Sequence, residues 1–178
     1  ADFAELAIQA DQLLRAAPRV WVGGEALRVR QTGLREYCVD VELRDGGGED
    51  VEVMIEGTSP SGVGVRKKIY LQQRAVHPRE ESRLVFGAGE AELVFDANSV
   101  YQVLFPQGER YAPELSEEFA GSGIGYAFAP AGIGFDRKVE VWLEIPEGDV
   151  AAEKFGVYAD GGDGTWSLAG NEWDAERR

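Results

Sequence analysis

The sequence predicts a mainly β protein in which antiparallel strands form one or two β-sandwiches. Apolar and polar residues alternate in many short segments, and turns rich in Gly or Pro recur about every 8–15 positions. The clearest strand is Lys138–Ile145, where every second residue from Val139 onward is aliphatic. We therefore expect these aliphatic side chains to form one buried face of a sheet.

The N-terminal segment predicts the only helix. Apolar residues recur at helical spacing within Asp2–Arg15, at Phe3, Leu6, Ala7, Ala10, Leu13 and Leu14. Asp2 can cap the start of this helix, and Pro18 ends the pattern. A short amphipathic helix is therefore expected before the first strand.

The other predicted strands fall into two successive groups. The first group comprises Leu27–Arg30, Tyr37–Leu43, Val51–Ile55 and Val63–Leu71, with Asp45-Gly46-Gly47-Gly48 as a hairpin turn. The second comprises Arg83–Phe86, Ala91–Phe95, Val100–Phe105, Ile124–Phe128, Lys138–Ile145, Phe155–Ala159 and Thr165–Leu168. A polar segment, His77–Glu81, is the candidate linker. We therefore predict a helix over 1–18, an immunoglobulin-like β unit over 19–80 and a second β-sandwich over 87–178.

Charge and composition exclude some classes of partner. The 178 residues include 32 acidic and 18 basic ones, for a formal net charge of -14. Proteins that bind nucleic acid cluster Lys and Arg, and the densest basic run here is Arg66-Lys67-Lys68. Membrane helices need roughly 18–20 apolar residues, and no run approaches that length. We therefore expect neither a nucleic-acid partner nor membrane insertion.

The single cysteine and the single histidine narrow the possible chemistry. Cys38 has no internal disulfide partner, and its place among alternating apolar residues predicts a buried structural thiol. His77 excludes sites that need two histidines, and its Pro, Arg and Glu neighbours do not favour a role in a catalytic triad. No catalytic residue, metal ligand or cofactor is therefore predicted with any specificity.

Three loops carry weaker signals. Gly121–Gly125 has the glycine spacing of a phosphate loop, but the residues after it predict a strand, which favours a bulge or a close strand approach. Asp160 and Asp163 are weak calcium candidates in a loop that better fits a hairpin turn. The glutamates of Pro113–Phe119 fit a solvated loop better than a paired-carboxylate active site.

The chain has four tryptophans, Trp21, Trp142, Trp166 and Trp173, and Trp142 is the best candidate for a ligand contact. Exposed indoles stack on sugars or anchor protein partners. Trp142 is out of phase with the aliphatic face of its strand, so we expect it to point away from that core, and Trp166 and Trp173 complete the candidate set. The alternative is burial of Trp142 beneath a neighbouring domain or loop, which the sequence favours slightly.

The C-terminal half resembles the ZU5-like β-sandwich. The resemblance lies in Gly89–Asn98 and Tyr126–Pro146, where a family pattern P-x-G-x-x-F-x-x-x-V falls on Pro130, Gly132, Phe135 and Val139. The segment from Gly156 to Asp174 is similar to the hairpin that closes such domains in bacterial envelope proteins, including accessory modules of lysostaphin-type zinc peptidases. Arg137-Lys138 replaces a family proline. The resemblance covers about 87–178 and implies an accessory role, since the zinc-binding histidines of the peptidases are missing.

These observations lead to one functional expectation and several alternatives. We expect a non-enzymatic spacer or protein-interaction module within a larger bacterial envelope or surface protein, in an extracytoplasmic location, with a protein or neighbouring domains as partner. A carbohydrate-binding module that uses Trp142, Trp166 and Trp173 is the first alternative. A structural subunit of a virion or surface assembly, and an enzyme that uses acidic residues alone, also stay open.

Overall fold

A computed structural model describes residues 2–46, 50–112, 125–145, 156–160, 165–170, 172 and 174. The chain is mainly β, as the sequence predicts. Its strands are β1 (Asp2–Gln9), β2 (Arg19–Val22), β3 (Glu25–Leu27), β4 (Arg30–Gln31), β5 (Glu36–Leu43), β6 (Val51–Thr58), β7 (Gly64–Leu71), β8 (Ser82–Phe86), β9 (Ala91–Phe95), β10 (Gln107–Tyr111), β11 (Gly125–Ala129), β12 (Val139–Leu143), β13 (Val157–Asp160) and β14 (Trp166–Gly170). A 3-10 turn, Gly87–Gly89, joins β8 to β9.

The chain divides into two compact units that alternate along the sequence. The first unit comprises 1–82, 95–107 and 128–138, and the second comprises 83–94, 108–127 and 139–178. The division predicted from the sequence, into 1–18, 19–80 and 87–178, stays a prediction.

The first unit is built on two antiparallel sheets that share one core. One sheet has the strand order β1-β5-β4, and the other has the order β3-β2-β6-β7. The shared core consists of Val20, Val39, Val41, Leu43, Val53, Leu71 and Phe105, all buried. Because β5 supplies three of these residues and β2, β6 and β7 supply three more, the inner faces of the two sheets pack against each other as in a β-sandwich.

The predicted N-terminal helix is wrong. Residues Asp2–Gln9 form β1, which pairs antiparallel with the full length of β5, from Asp2 opposite Leu43 to Gln9 opposite Glu36. Leu6 and Ile8 pack against the core, whereas Phe3 is 67% exposed. The segment therefore follows a period of two, and eight residues of strand pairing outweigh the helical spacing.

The predicted hairpin between β5 and β6 is also wrong. The two strands are consecutive, but β5 pairs with β1 and β4, while β6 pairs with β2 and β7. The turn residues after Leu43 therefore carry the chain from one sheet of the sandwich to the other. Turn chemistry marks where a strand ends and does not specify which strand comes next in the sheet.

Other strand predictions also need correction. The predicted strand Leu27–Arg30 spans the break between β3 and β4. The segment Val100–Phe105 is buried at Val100, Leu104 and Phe105, and its pairing with other described residues is limited to an isolated bridge between Leu104 and Val76. Two short strands, β2 and β10, were not predicted. They lack the long alternation of β5 because β2 has four residues and β10 is largely polar.

The sheets centred on the second unit have the strand orders β12-β9-β8, β10-β11 and β13-β14. Leu84, Phe86, Ala91 and Leu93 supply buried side chains from β8 and β9. On β12 the predicted buried face is wrong at Val141, which is 45% exposed. The glycine that begins β11 fits the predicted close strand approach, since a Cβ at Gly125 would lie 2.8 Å from the Tyr111 ring.

Candidate functional site

The outer face of the four-stranded sheet carries an aromatic residue among paired charges. On β2, Val20 and Val22 pack toward the core, so alternation places Trp21 on the opposite side of the sheet. Trp21 lies opposite Ala26 on β3 and Met54 on β6, and Met54 lies opposite Lys68 on β7. We call this surface the Trp21 face; its side chains are Trp21, Glu52, Met54, Glu56, Arg66, Lys68 and Tyr70.

Two cross-strand ion pairs lie on either side of Met54. Lys68 Nζ donates to Glu52 Oε2 over 3.0 Å, and Arg66 Nε donates to Glu56 Oε1 over 2.6 Å. This hydrogen bond from Lys68 to Glu52 lowers the pKa of Glu52 and raises the pKa of Lys68, so both groups stay ionised near neutral pH. The four charges sum to zero, in contrast to the net charge of -14 on the whole chain.

An open depression of about 450 Å³ lies on this face. Its lining is Trp21, Gly23, Gly24, Glu52, Met54 and Glu56. Gly23 and Gly24 connect β2 to β3 with φ angles of +56° and +87°, values that glycine adopts without strain in a two-residue hairpin turn. A Cβ at either glycine would meet no atom within 4 Å, so this end of the depression is open to an incoming molecule.

The indole of Trp21 has an unused hydrogen-bond donor. Trp21 is half-buried, and its Nε1 donates to no side chain or carbonyl in the described ranges. Glu52 and Glu56 lie on the same lining, and each keeps carboxylate lone pairs beyond those used by its ion pair. The depression therefore combines an apolar surface with both donors and acceptors, the composition typical of small-molecule sites.

The edge of the same sheet is formed by β7, an eight-residue strand that pairs with β6 on one side. In the part of the chain that the structure describes, no strand pairs with its other side. Val63, which directly precedes this strand, and Val65 within it are each 61% exposed. An edge strand of this length offers a row of backbone N–H and C=O groups to another chain.

The basic run Arg66-Lys67-Lys68 lies on this edge strand, with Arg66 and Lys68 on the Trp21 face and Lys67 on the other face of the sheet. Arg66 and Lys68 are paired with Glu56 and Glu52. Lys67 is exposed and makes no ion pair with any described residue, so it is the unneutralised cation of the run.

Trp142, the best candidate from the sequence, lies on β12, which is not one of the strands that form the Trp21 face. It is half-buried, and its Nε1 donates to Glu140 Oε2 over 3.2 Å. The N–H group of the indole is therefore already bonded to a side chain of the same strand. This makes Trp142 a poorer candidate for stacking on a ligand than the sequence indicates.

The remaining predicted site residues lie at or outside the limits of the described chain. The backbones of Asp160 and Trp166 are opposite each other at the end of the β13-β14 hairpin. Their side chains, together with the whole of Asp163 and Trp173, lie outside the described residues, as do Gly121–Ile124 and Pro113–Phe119. Ligand contacts at these positions stay predictions.

The prediction that Cys38 is buried is confirmed, but its surroundings differ from those expected. Cys38 is 4% exposed and lies out of phase with the inward Val39 and Val41 on β5. Arg30, its partner on β4, extends over this side of the sheet to Glu5 and Asp40. Loss of hydration raises the pKa of the Cys38 thiol, which keeps it protonated and unreactive.

His77 takes part in a structural contact. Its Nε2 lies 2.7 Å from Asp45 Oδ2, and Asp45 also accepts a hydrogen bond from the backbone N–H of Ala75. These hydrogen bonds lower the pKa of Asp45. The contact joins the segment after β7 to the connection after β5, within the first unit.

Metal-binding groups and membrane-spanning helices are absent from the described part of the chain. Among the described residues, no group of three His, Cys, Asp or Glu side chains is placed to hold a metal ion. The described helical structure also contains no segment that is long and apolar enough to cross a membrane.

Comparisons of the chain with family models, curated proteins and solved structures find no match. The ZU5-like resemblance therefore stays a prediction from residues 87–178. The candidate site described above rests on its own geometry.

Sequence reasoning did not select Trp21, although a usable signal was present. Trp21 stands between Val20 and Val22, and this alternation places its indole on the opposite face from two aliphatic side chains. The short length of β2 concealed the pattern. The cross-strand partners that surround the indole come from distant segments and could not be read from local spacing.

Proposed function

We propose that this chain is a non-catalytic protein-interaction module that binds an extended, acidic segment of its partner along the edge of β7. The observation that carries the proposal is an eight-residue edge strand with a basic centre in a chain of net charge -14. Strand addition gives affinity through backbone hydrogen bonds, and side chains on the added strand give specificity.

The charge of the edge selects the partner. Lysines on edge strands oppose indiscriminate pairing between sheets. Lys67 would form an ion pair with an acidic side chain on an added strand. The negative net charge of the rest of the molecule would repel an acidic partner from other parts of its surface. Exposed Val63 and Val65 add an apolar contact for the same strand.

The wider setting of the module is part of the proposal. The ZU5-like resemblance of the C-terminal half supports a place within a larger bacterial envelope or surface protein, outside the cytoplasm. That support comes from sequence alone and is independent of the β7 edge.

The test is binding of short peptides in which Glu or Asp alternates with Val, measured by calorimetry with the full chain. We expect Lys67→Glu to weaken binding about tenfold or more, because it replaces attraction with repulsion. Lys138→Glu is the matched control, since Lys138 is exposed and the change in net charge is the same. This control should leave affinity within about twofold.

A backbone-methylated version of the same peptide separates strand addition from charge attraction. Methylation of alternate backbone nitrogens removes the donors that pair with β7, so the peptide should no longer bind. If the methylated peptide binds equally well, or if Lys67→Glu and Lys138→Glu have equal effects, the proposal is wrong.

A further inference from the structure

We propose that the Trp21 face is a second, separate binding site, and that its ligand is a neutral saccharide whose pyranose ring stacks on Trp21. The site uses the outer face of the sheet rather than the edge of β7. It is distinct from the predicted sugar contacts at Trp142, Trp166 and Trp173.

The first argument is the form of the lining. Trp21 and Met54 are cross-strand neighbours, and they supply the apolar part of a depression of about 450 Å³. This volume lies within the range of about 300–1,000 Å³ that small-molecule sites occupy. A pyranose ring presents one face of C–H groups, which suits the electron-rich face of an indole.

The second argument is the placement of polar groups around the indole. Glu52 and Glu56 lie two residues to either side of Met54 along β6, with their ion-pair partners Lys68 and Arg66 beside them on β7. Each pair holds an acceptor next to a donor at fixed spacing. Neighbouring hydroxyl groups of a sugar ring can donate to the first and accept from the second.

The third argument is charge, which excludes ionic ligands. The carboxylates of Glu52 and Glu56 are neutralised by their partners, so the face does not offer an unpaired negative site to a cation. The two carboxylates of the lining and the net charge of -14 disfavour an anion in the depression. A neutral ligand rich in hydroxyl groups is the class that satisfies both conditions.

The unused donor of Trp21 supports the same assignment. Since Nε1 has no acceptor among the described residues, it is available to a ligand oxygen at the rim of the depression. The open turn at Gly23-Gly24 leaves space for a chain of sugar units to extend beyond the ring that stacks.

The experiment is a titration of the full chain with cellohexaose, chitohexaose and a galactan hexamer, followed by calorimetry and tryptophan fluorescence. We expect saturable binding of at least one oligomer. Trp21→Ala should weaken it about tenfold or more, and Trp21→Tyr, which keeps an aromatic face, should keep affinity within about threefold. The Tyr variant keeps the test valid if the Ala variant fails to fold.

Controls separate this site from the others. Trp142→Ala and Lys67→Glu should leave saccharide affinity unchanged, so failure of the β7 proposal and failure of this one are distinguishable. The inference is overturned if none of the three oligomers binds, or if Trp21→Ala binds as tightly as the parent chain. Tighter binding of an oligogalacturonate than of any neutral oligomer would also overturn it.

Discussion

Tyr126, Glu90 and Arg110 form a hydrogen-bonded group around the turn between β8 and β9. Tyr126 Oη donates to Glu90 Oε2 over 2.5 Å, and Arg110 Nη1 lies 3.1 Å from Glu90 Oε1. Gly87 lies against the Tyr126 hydroxyl with a φ angle of +57°. At the scale of single residues, this group shows how a glycine can be required both by backbone conformation and by the space beside it.

Gly87→Ala should lower the free energy of unfolding by about 2–4 kcal/mol. Alanine in the left-handed region costs roughly 1–2 kcal/mol, and its Cβ would also overlap the Tyr126 hydroxyl and approach Glu90 Oε2 to 2.9 Å. Urea unfolding measures the loss. Gly23→Ala is the control, because Gly23 has a φ of +56° with no atom within 4 Å of the new Cβ. Equal losses in both variants would contradict the steric argument.

Tyr126→Phe should destabilise the protein by about 1–2 kcal/mol at neutral pH, through loss of a hydrogen bond to a carboxylate. Burial, followed by this hydrogen bond, raises the pKa of Tyr126 to about 12, compared with about 10 in an unfolded chain. The contribution is complete below about pH 10 and is lost as pH rises toward about 12, where the folded tyrosine also ionises.

Unfolding free energies of the parent chain and the Phe variant, measured from neutral pH to about pH 12, check this direction. The difference between the two should shrink on the alkaline side. Tyr101→Phe removes a more exposed hydroxyl that donates to Asp136 over 3.1 Å, and we expect it to cost less at neutral pH. A Tyr126→Phe difference that grows above about pH 10 would rule out the assigned shift.

At the scale of strands, β1 shows how an alanine-rich segment can satisfy two periods at once. Helical spacing selects Phe3 and Leu6, while a period of two selects Leu6 and Ile8. Ile8, a β-branched residue, was the signal that favoured a strand. The segment forms a strand because pairing with β5 satisfies its backbone hydrogen-bonding groups and places Leu6 and Ile8 against the core.

Single substitutions distinguish the strand from the helix in solution. Ile8→Ala should lower the free energy of unfolding by about 1–3 kcal/mol, since Ile8 packs against the core. Phe3→Ala should change it by about 0.5 kcal/mol or less, because Phe3 is 67% exposed. Thermal or urea unfolding of both variants provides the measurement. The reverse order of effects would favour the helical arrangement.

The strands that sequence analysis predicted well are those with long, clean alternation. β9 is buried at every second residue. Core-facing aliphatic residues have the same spacing on β5, at Val39, Val41 and Leu43, and on β6, at Val51, Val53 and Ile55. The predicted positions of all three strands agree with the structure to within a few residues. The polar strand β10 carries no such pattern. The predicted strand at Val100–Phe105 failed for the opposite reason, since its apolar residues are buried without regular pairing.

At the scale of the whole molecule, alternation and turn spacing predicted a mainly β protein, and the structure confirms the β architecture. The Trp21 face could not be predicted in the same way. Its indole, carboxylates and cations come from β2, β6 and β7, which are brought together by pairing across 19–71. Local spacing identifies which side chains share one face of a strand, but not which strands become neighbours.

Because the two units alternate along the chain, recombination within the gene would disrupt both of them. The first unit takes its residues from 1–82, 95–107 and 128–138, with parts of the second unit between them. A single crossover within the gene would therefore leave both units incomplete, wherever it fell between residues 83 and 138. We expect the two units to have diverged together as one coding segment, rather than to be exchanged separately among unrelated proteins.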